Sequence, residues 1–182
     1  MKTFFILCLP RSRSAWLANL LTYGNTFCFH EPAVGLYNFK EMRALFESTG
    51  RPIVGSSDCG NVWIIDGLRA EFPDSQLVVV RQEIELCRQS MAEMGLPDNG
   101  TLEKAADMLD YVVSGYSPLV IEAKDLGSPE TIKTLCDYVG AEFDQPRLSL
   151  LESLNVQTKP EFLYSRMTTE NVNSMVSLMG SS

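Results

Sequence analysis

The first chemically distinctive feature of this sequence is the run Arg-Ser-Arg-Ser at residues 11–14. It follows the apolar run Thr3–Leu9 and Pro10, and it precedes residues with the spacing of an amphipathic helix. A turn from strand to helix exposes unpaired backbone N–H groups at the positive end of the helix dipole, where anions bind. Taken singly, each residue also fits a solvated loop or a helix cap. Together, the guanidinium and hydroxyl groups predict a site for a phosphate or sulfate.

Two other places combine residues suited to acid–base or anion chemistry. His30, the only histidine in the chain, and Glu31 follow a short apolar segment. Either side chain could serve as the general base for a hydroxyl group; a structural histidine and a carboxylate paired with a loop arginine are the alternatives. Farther along, Arg81 ends the strongest apolar run, and its guanidinium fork suits an oxyanion.

The spacing of these residues excludes several familiar sites. A P-loop nucleoside triphosphatase requires G-x-x-x-x-G-K-[ST], but residues 8–15 contain neither glycine nor lysine. Four residues separate Cys8 from Arg13, whereas a Cys-x5-Arg phosphatase loop needs five. The five cysteines form neither a C-x-x-C pair nor a Cys/His cluster, so we expect no metal site, no disulfide framework and a reducing, cytoplasmic environment.

The charge distribution and the apolar runs restrict the class of partner. A net charge of −8 argues against nucleic-acid binding, which usually needs a basic face. The first 51 residues nevertheless hold six Lys and Arg against three acidic residues, so a small anion would be attracted there. The apolar run at residues 4–9 is far shorter than the roughly 18 residues of a membrane span, and no membrane partner is expected.

These residues must be positioned by an alternation of strands and helices. We predict strands at residues 3–9, 26–32, 51–57, 75–81 and 118–126. We predict helices at residues 38–48, 61–72, 83–94, 102–114 and 129–139, together with a first helix capped by Ser14. Such alternation implies right-handed crossovers, so the expected fold is a single domain, residues 1–182, with a three-layer α/β/α architecture and a mostly parallel five-stranded sheet. Ligands then bind at the carboxyl ends of the strands.

The segment after residue 144 is predicted to be less regular. One amphipathic helix is expected there from the spacing of four apolar residues, namely Val172, Met175, Val176 and Met179.

Residues 10–17 resemble the 5′-phosphosulfate loop of the sulfotransferase family, Pro-[Arg/Lys]-Ser-Gly-[Thr/Ser]-x-Trp-Leu, which lies on a P-loop-like fold. Arg13 replaces the common glycine, but a branch of related proteins has Pro-Arg-Ser-Arg-Ser followed by His-Glu-Pro, as at residues 30–32 here. Arg81 and Ser90 resemble the family's 3′-phosphate site, where a serine follows the arginine by eight or nine residues; at eight, the residue is Gln89. The resemblance extends from about residue 2 to residue 139.

The resemblance implies an enzyme that transfers a sulfuryl group from 3′-phosphoadenosine 5′-phosphosulfate to a hydroxyl or amine without a metal. Arg11 would stabilise the leaving oxygen, and His30 or Glu31 would act as base. The residues implied in donor binding are Pro10, Arg11, Ser12, Arg13, Ser14, Ala15, Arg81 and Ser90. The acceptor would be a small molecule or a glycan. Because the chain is shorter than many family members, a second copy in a homodimer could complete the acceptor pocket.

Two other functions remain open from the sequence. A non-catalytic nucleotide-binding module would keep the loop while Arg13 and Gln89 have changed the site. A kinase-like phosphotransferase is the third candidate, against which the missing Walker lysine argues.

Overall fold

The centre of the molecule is a sheet of five parallel strands. The structure is a computed structural model that describes residues 1–96, 98–154, 156 and 168–180. The strands are β1 (Lys2–Cys8), β2 (Thr26–His30), β3 (Ile53–Asp58), β4 (Gln76–Arg81) and β5 (Leu119–Glu122). Their lateral order is β2-β3-β1-β4-β5, so β1 occupies the middle of the sheet.

Helices follow or precede every strand. The helices within the described ranges are α1 (Ser14–Leu21), α2 (Phe39–Ser48), α3 (Ile65–Glu71), α4 (Ile84–Glu93), α5 (Thr101–Tyr116), α6 (Pro129–Val139), α7 (Gln145–Ser153) and α8 (Thr169–Gly180). Two 3₁₀ segments lie at Cys59–Ile64 and Ala123–Asp125. Among these helices, none has both the length and the apolar character needed to cross a membrane.

The burial of β1 explains why the layers lie on both sides of the sheet. Successive strand residues face opposite sides, and residues 4–8 are all fully buried. One face of the sheet packs against α1, α6 and α7, and the other packs against α2, α3 and α5. The predicted three-layer α/β/α fold is confirmed, and the sheet is parallel throughout.

The strand order creates a crevice beside β1. From β1 the chain continues to β2, at one edge of the sheet. From the neighbouring β4 it continues to β5, at the opposite edge. The loops after β1 and β4 therefore diverge. Such a point of reversal is where open α/β sheets bind ligands.

Several predicted boundaries were wrong, each for a local reason. Ser14 does not cap α1: it is the first helical residue, and Arg13 occupies the cap position with a φ of 63°. The second strand ends at His30 rather than residue 32, because Glu31 has a φ of 51°. The helix predicted at 61–72 divides into a 3₁₀ segment and α3, and the last strand stops at residue 122 where the second 3₁₀ segment begins.

The chain after residue 144 is more regular than predicted. Helix α7 begins after Asp144, whose side chain accepts a hydrogen bond from Arg147 N–H at 2.6 Å. Helix α8 confirms the predicted amphipathic helix but presents another face to the core. Its buried residues are Ser174 and Leu178, whereas Val176 is 61% exposed. The Ser174 hydroxyl explains this orientation, because it accepts a hydrogen bond from Gly35 N–H at 2.9 Å.

Gly55 tests the packing at the centre of the sheet. A Cβ atom at this buried β3 position would lie 2.4 Å from the Phe4 carbonyl oxygen, so Gly55→Ala forces two strands apart. We expect it to lower the free energy of unfolding by about 1–3 kcal/mol, as measured by urea denaturation. Gly115→Ala in α5 is the matched control, because its Cβ meets no atom within 4 Å and should raise stability by about 0.5–1 kcal/mol. Equal stability of Gly55→Ala and the parent protein would contradict this packing.

Candidate functional site

The loop after β1 has an unusual backbone. Ser12 N–H donates to the Leu9 carbonyl at 3.3 Å, which closes a turn with Pro10 second and Arg11 third. Arg11 has a φ of 67°, and Arg13 has a φ of 63°. A type II turn usually has glycine at its third position for this reason. Each L-residue held in the left-handed region costs about 1–2 kcal/mol. Strain of this kind persists where the surrounding structure fixes the chain, often at a functional site.

The same backbone leaves the start of α1 open. The first intrahelical bond runs from Leu17 N–H to the Arg13 carbonyl at 2.9 Å, and no side chain caps the helix. The N–H groups of Ser14, Ala15 and Trp16 therefore have no partner within the helix. The first turn contains no acidic residue, so this end has the positive potential that binds an anion.

A cavity of about 430 Å³ lies at this helix end. Its size is in the range of pockets that bind one small ligand. The predicted site residues in its wall are Pro10, Arg11, Arg13, Ser14, Ala15, His30, Glu31 and Ser90. The other residues in its wall are Trp16, Cys59, Met91, Leu96, Leu154 and Val156.

One side of this cavity joins the loop to helix α4. Arg11 Nε donates to Ser90 Oγ at 3.0 Å, across 79 residues of sequence. The contact identifies Ser90, rather than Gln89, as the α4 residue that faces the loop. Arg11 and Ser90 thus form one group of donors beside the start of α1.

A second polar group lies at the end of β2. The Ser14 hydroxyl and His30 Nε2 share a hydrogen bond of 3.1 Å, and the same nitrogen is 3.7 Å from Glu31 Oε1. The side chains of His30 and Glu31 are only 19% and 17% exposed. A histidine nitrogen between a hydroxyl and a carboxylate is suited to accept or donate a proton.

Arg13 is held in place by two neighbours. Its guanidinium carbon lies 4.1 Å from the Trp16 ring centroid, and its NH2 group is 2.5 Å from Glu152 Oε1 on α7. Trp16 is fixed in turn, because its indole N–H donates to the Leu151 carbonyl at 3.1 Å. Helix α7 therefore packs directly against the loop after β1 and the start of α1.

Two predicted donor-binding side chains do not line the cavity. Ser12 is fully buried, and its hydroxyl lies 3.9 Å from the Cys87 sulfur on α4. Arg81 is hydrogen-bonded to Asp110 Oδ1 at 2.5 Å on α5. Outside the cavity as well, Arg88 forms salt bridges with three carboxylates: Glu85, Asp98 and Glu103.

The wall residues that the sequence did not reveal differ in how well they could have been found. Met91 directly follows Ser90 on α4, so it could have been inferred from the helix. Leu154 and Val156 reach the cavity only because α7 packs on Trp16, and no motif in the sequence indicates that contact.

Cys59 is the thiol in the cavity wall, and its environment disfavours a nucleophilic role. Burial raises its pKa well above the ordinary value, and the charges of Asp58 and Glu31 raise it further. A thiol with a raised pKa has little of the reactive thiolate at neutral pH. In the described part of the chain, no group of three or more His, Cys, Asp or Glu side chains is arranged to hold a metal ion.

Comparison with known proteins adds no assignment to this site. No protein-family model matches the chain, and no curated protein matches it at a significant level.

Thiol titration checks the electrostatics of this region. Burial raises the pKa of all five cysteine thiols, that of Cys136 to about 11. A pKa higher by two lowers the thiolate fraction about 100-fold, so at pH 8 we expect native Cys136 to react with a chromogenic disulfide at least about 100-fold more slowly than free cysteine. The other four native thiols should also react more slowly than free cysteine. All five should react at once in denaturant. Rapid labelling of native Cys59, located by peptide mapping, would contradict this description.

Proposed function

We propose that this protein transfers a sulfuryl group from 3′-phosphoadenosine 5′-phosphosulfate to a hydroxyl or amine of a small acceptor. The observation that supports it best is the convergence of Arg11, Ser90 and His30 on one cavity at the uncapped start of α1. The loop after β1 lines this cavity, beside the point where the strand order reverses, which is where this class of sheet binds ligands. The resemblance of residues 10–17 to a phosphosulfate loop supplies the identity of the donor.

The donor's anionic groups would be bound by main-chain and side-chain donors together. The N–H groups of Ser14, Ala15 and Trp16 and the Arg11 guanidinium would face the phosphosulfate. Because Arg11 and Ser90 contact each other, we assign both to the phosphosulfate end of the donor, rather than Ser90 to the 3′-phosphate. Arg81 would reach the 3′-phosphate only by leaving Asp110, and its 38% exposed side chain has room to do so.

The reaction itself would depend mainly on position and charge. As the sulfuryl group moves to the acceptor oxygen or nitrogen, the bond to the bridging oxygen breaks and adenosine 3′,5′-bisphosphate leaves. Arg11 would stabilise the charge that develops on that oxygen. The acceptor's proton would pass to His30 Nε2 or to the Glu31 carboxylate, which lie within 3.7 Å of each other.

The apolar part of the wall favours a compact apolar acceptor over a glycan. Side chains of Trp16, Met91, Leu96 and Leu154 contribute much of the lining. Glycans need several hydrogen-bonding partners, whereas an apolar wall gains from excluding water around a hydrocarbon or aromatic group. We therefore propose a small alcohol, phenol or amine with an apolar body.

One observation favours a second function, a non-catalytic anion-binding module. Arg13 and Arg81 are already neutralised by Glu152 and Asp110. A site with fewer available cations could bind a phosphate without transferring a group. The two functions share the same binding step and differ only in turnover.

Binding of adenosine 3′,5′-bisphosphate tests the proposed donor site. A ligand that binds only the folded protein raises the melting midpoint, so we expect the bisphosphate to raise it. Arg11→Ala should weaken binding about 10- to 100-fold, since it removes a charge-assisted contact. Arg51→Ala is the matched control, because Arg51 precedes β3 at the opposite end of the strands and should leave affinity unchanged.

Other outcomes of the binding experiment would favour a different function or contradict the site. Stabilisation by ATP with magnesium but not by the bisphosphate would favour the kinase-like alternative. Bisphosphate binding without sulfate transfer to a panel of phenols, alcohols and amines would favour the non-catalytic module. Equal affinity of Arg11→Ala and the parent protein would contradict the site itself.

A further inference from the structure

The pair formed by Arg13 and Glu152 has a chemical consequence for the anion site. Arg13 is the cap residue of α1 and also lines the cavity. Its NH2 group contacts Glu152 Oε1 at 2.5 Å. The Glu152 carboxylate therefore pairs with the Arg13 guanidinium, which could otherwise bind the anion of the ligand.

The geometry allows this carboxylate to be replaced. The side chains of Arg13 and Glu152 are 34% and 36% exposed, and an ion pair so accessible to water is weak. Glu152 also lies in the last turn of α7, where the helix dipole disfavours a negative charge. Trp16 holds the Arg13 guanidinium over its ring at 4.1 Å, which keeps the cation at the cavity after Glu152 leaves.

Helix α7 has other attachments that do not depend on Glu152. The Arg147 guanidinium donates to the carbonyls of Leu20 at 3.2 Å and Thr22 at 3.0 Å, and the Leu151 carbonyl accepts the Trp16 indole N–H. Rotation of the Glu152 side chain can therefore release Arg13 while α7 stays packed on α1.

We propose that Glu152 is an internal competitor for the anion of the ligand, and that it sets the affinity of the site through Arg13. A phosphate or phosphosulfate group binds by taking the place of the Glu152 carboxylate on the Arg13 guanidinium. This inference rests on the anion-binding part of the proposed function and needs neither the adenosine group nor catalysis. It assigns a role to Arg13, the residue that departs from the common glycine of the phosphosulfate loop.

The test is a double-mutant cycle read by calorimetric binding of two probes, inorganic pyrophosphate and adenosine 3′,5′-bisphosphate. Glu152→Gln should tighten pyrophosphate binding roughly twofold to fivefold, because it removes a competing ion pair of the usual exposed strength. Arg13→Gln should weaken it, and the double variant should bind no tighter than Arg13→Gln alone. Glu93→Gln is the control for general charge, since Glu93 is exposed at the end of α4 and should change affinity less than twofold. Melting of each variant without ligand checks that it is folded.

The outcomes separate this inference from the proposed function. Unchanged or weaker pyrophosphate binding by Glu152→Gln overturns the inference, as does a gain that persists when Arg13 is already replaced. Absence of pyrophosphate binding by every variant also overturns it. Pyrophosphate binding with the predicted cycle, but no binding of the bisphosphate, keeps the inference and removes the proposed sulfuryl donor.

Discussion

The left-handed turn between β1 and α1 is the constraint on which the site depends. Strand β1 is buried on both faces, and only residues 9–13 separate its end from the start of α1. Arg11 and Arg13 make this possible only by adopting positive φ angles, at a cost of about 1–2 kcal/mol each. The result is an uncapped helix start at the cavity that His30 and Ser90 also line. Contacts of both arginines with other parts of the chain, to Ser90 and to Glu152, hold the strained turn in place.

Several arginines near the carboxyl end of the sheet form salt bridges with carboxylates. Arg13 pairs with Glu152, Arg81 with Asp110, and Arg88 with three acidic residues. In a chain of net charge −8, this pattern reduces the positive potential that an anion would otherwise meet. Arg11 donates to the Ser90 hydroxyl, and both residues lie in the cavity wall.

The sequence predicted what depends on local patterns and missed what depends on packing between distant segments. The apolar run of β1 and the proline-led helix α6 were located within a residue, because burial and capping leave clear local signals. The loop residues, His30 and Ser90 were brought together as predicted, since parallel strands bring their carboxyl ends to one edge. Arg81 lies outside the cavity wall and pairs with Asp110 of α5, a contact that the sequence does not show. Helix α7 was missed even though Asp144, followed by Pro146, is an N-terminal signal that could have been used.

We propose that the backbone N–H groups at the start of α1 bind the anion of the ligand. The most direct test is to follow the backbone amide resonances of ¹⁵N-labelled protein while adenosine 3′,5′-bisphosphate is added. We expect the largest shifts at residues 13–16 and at Ser90, and we expect them to saturate with a single dissociation constant. Shifts confined to other parts of the molecule, with residues 13–16 unchanged at saturating ligand, would contradict it.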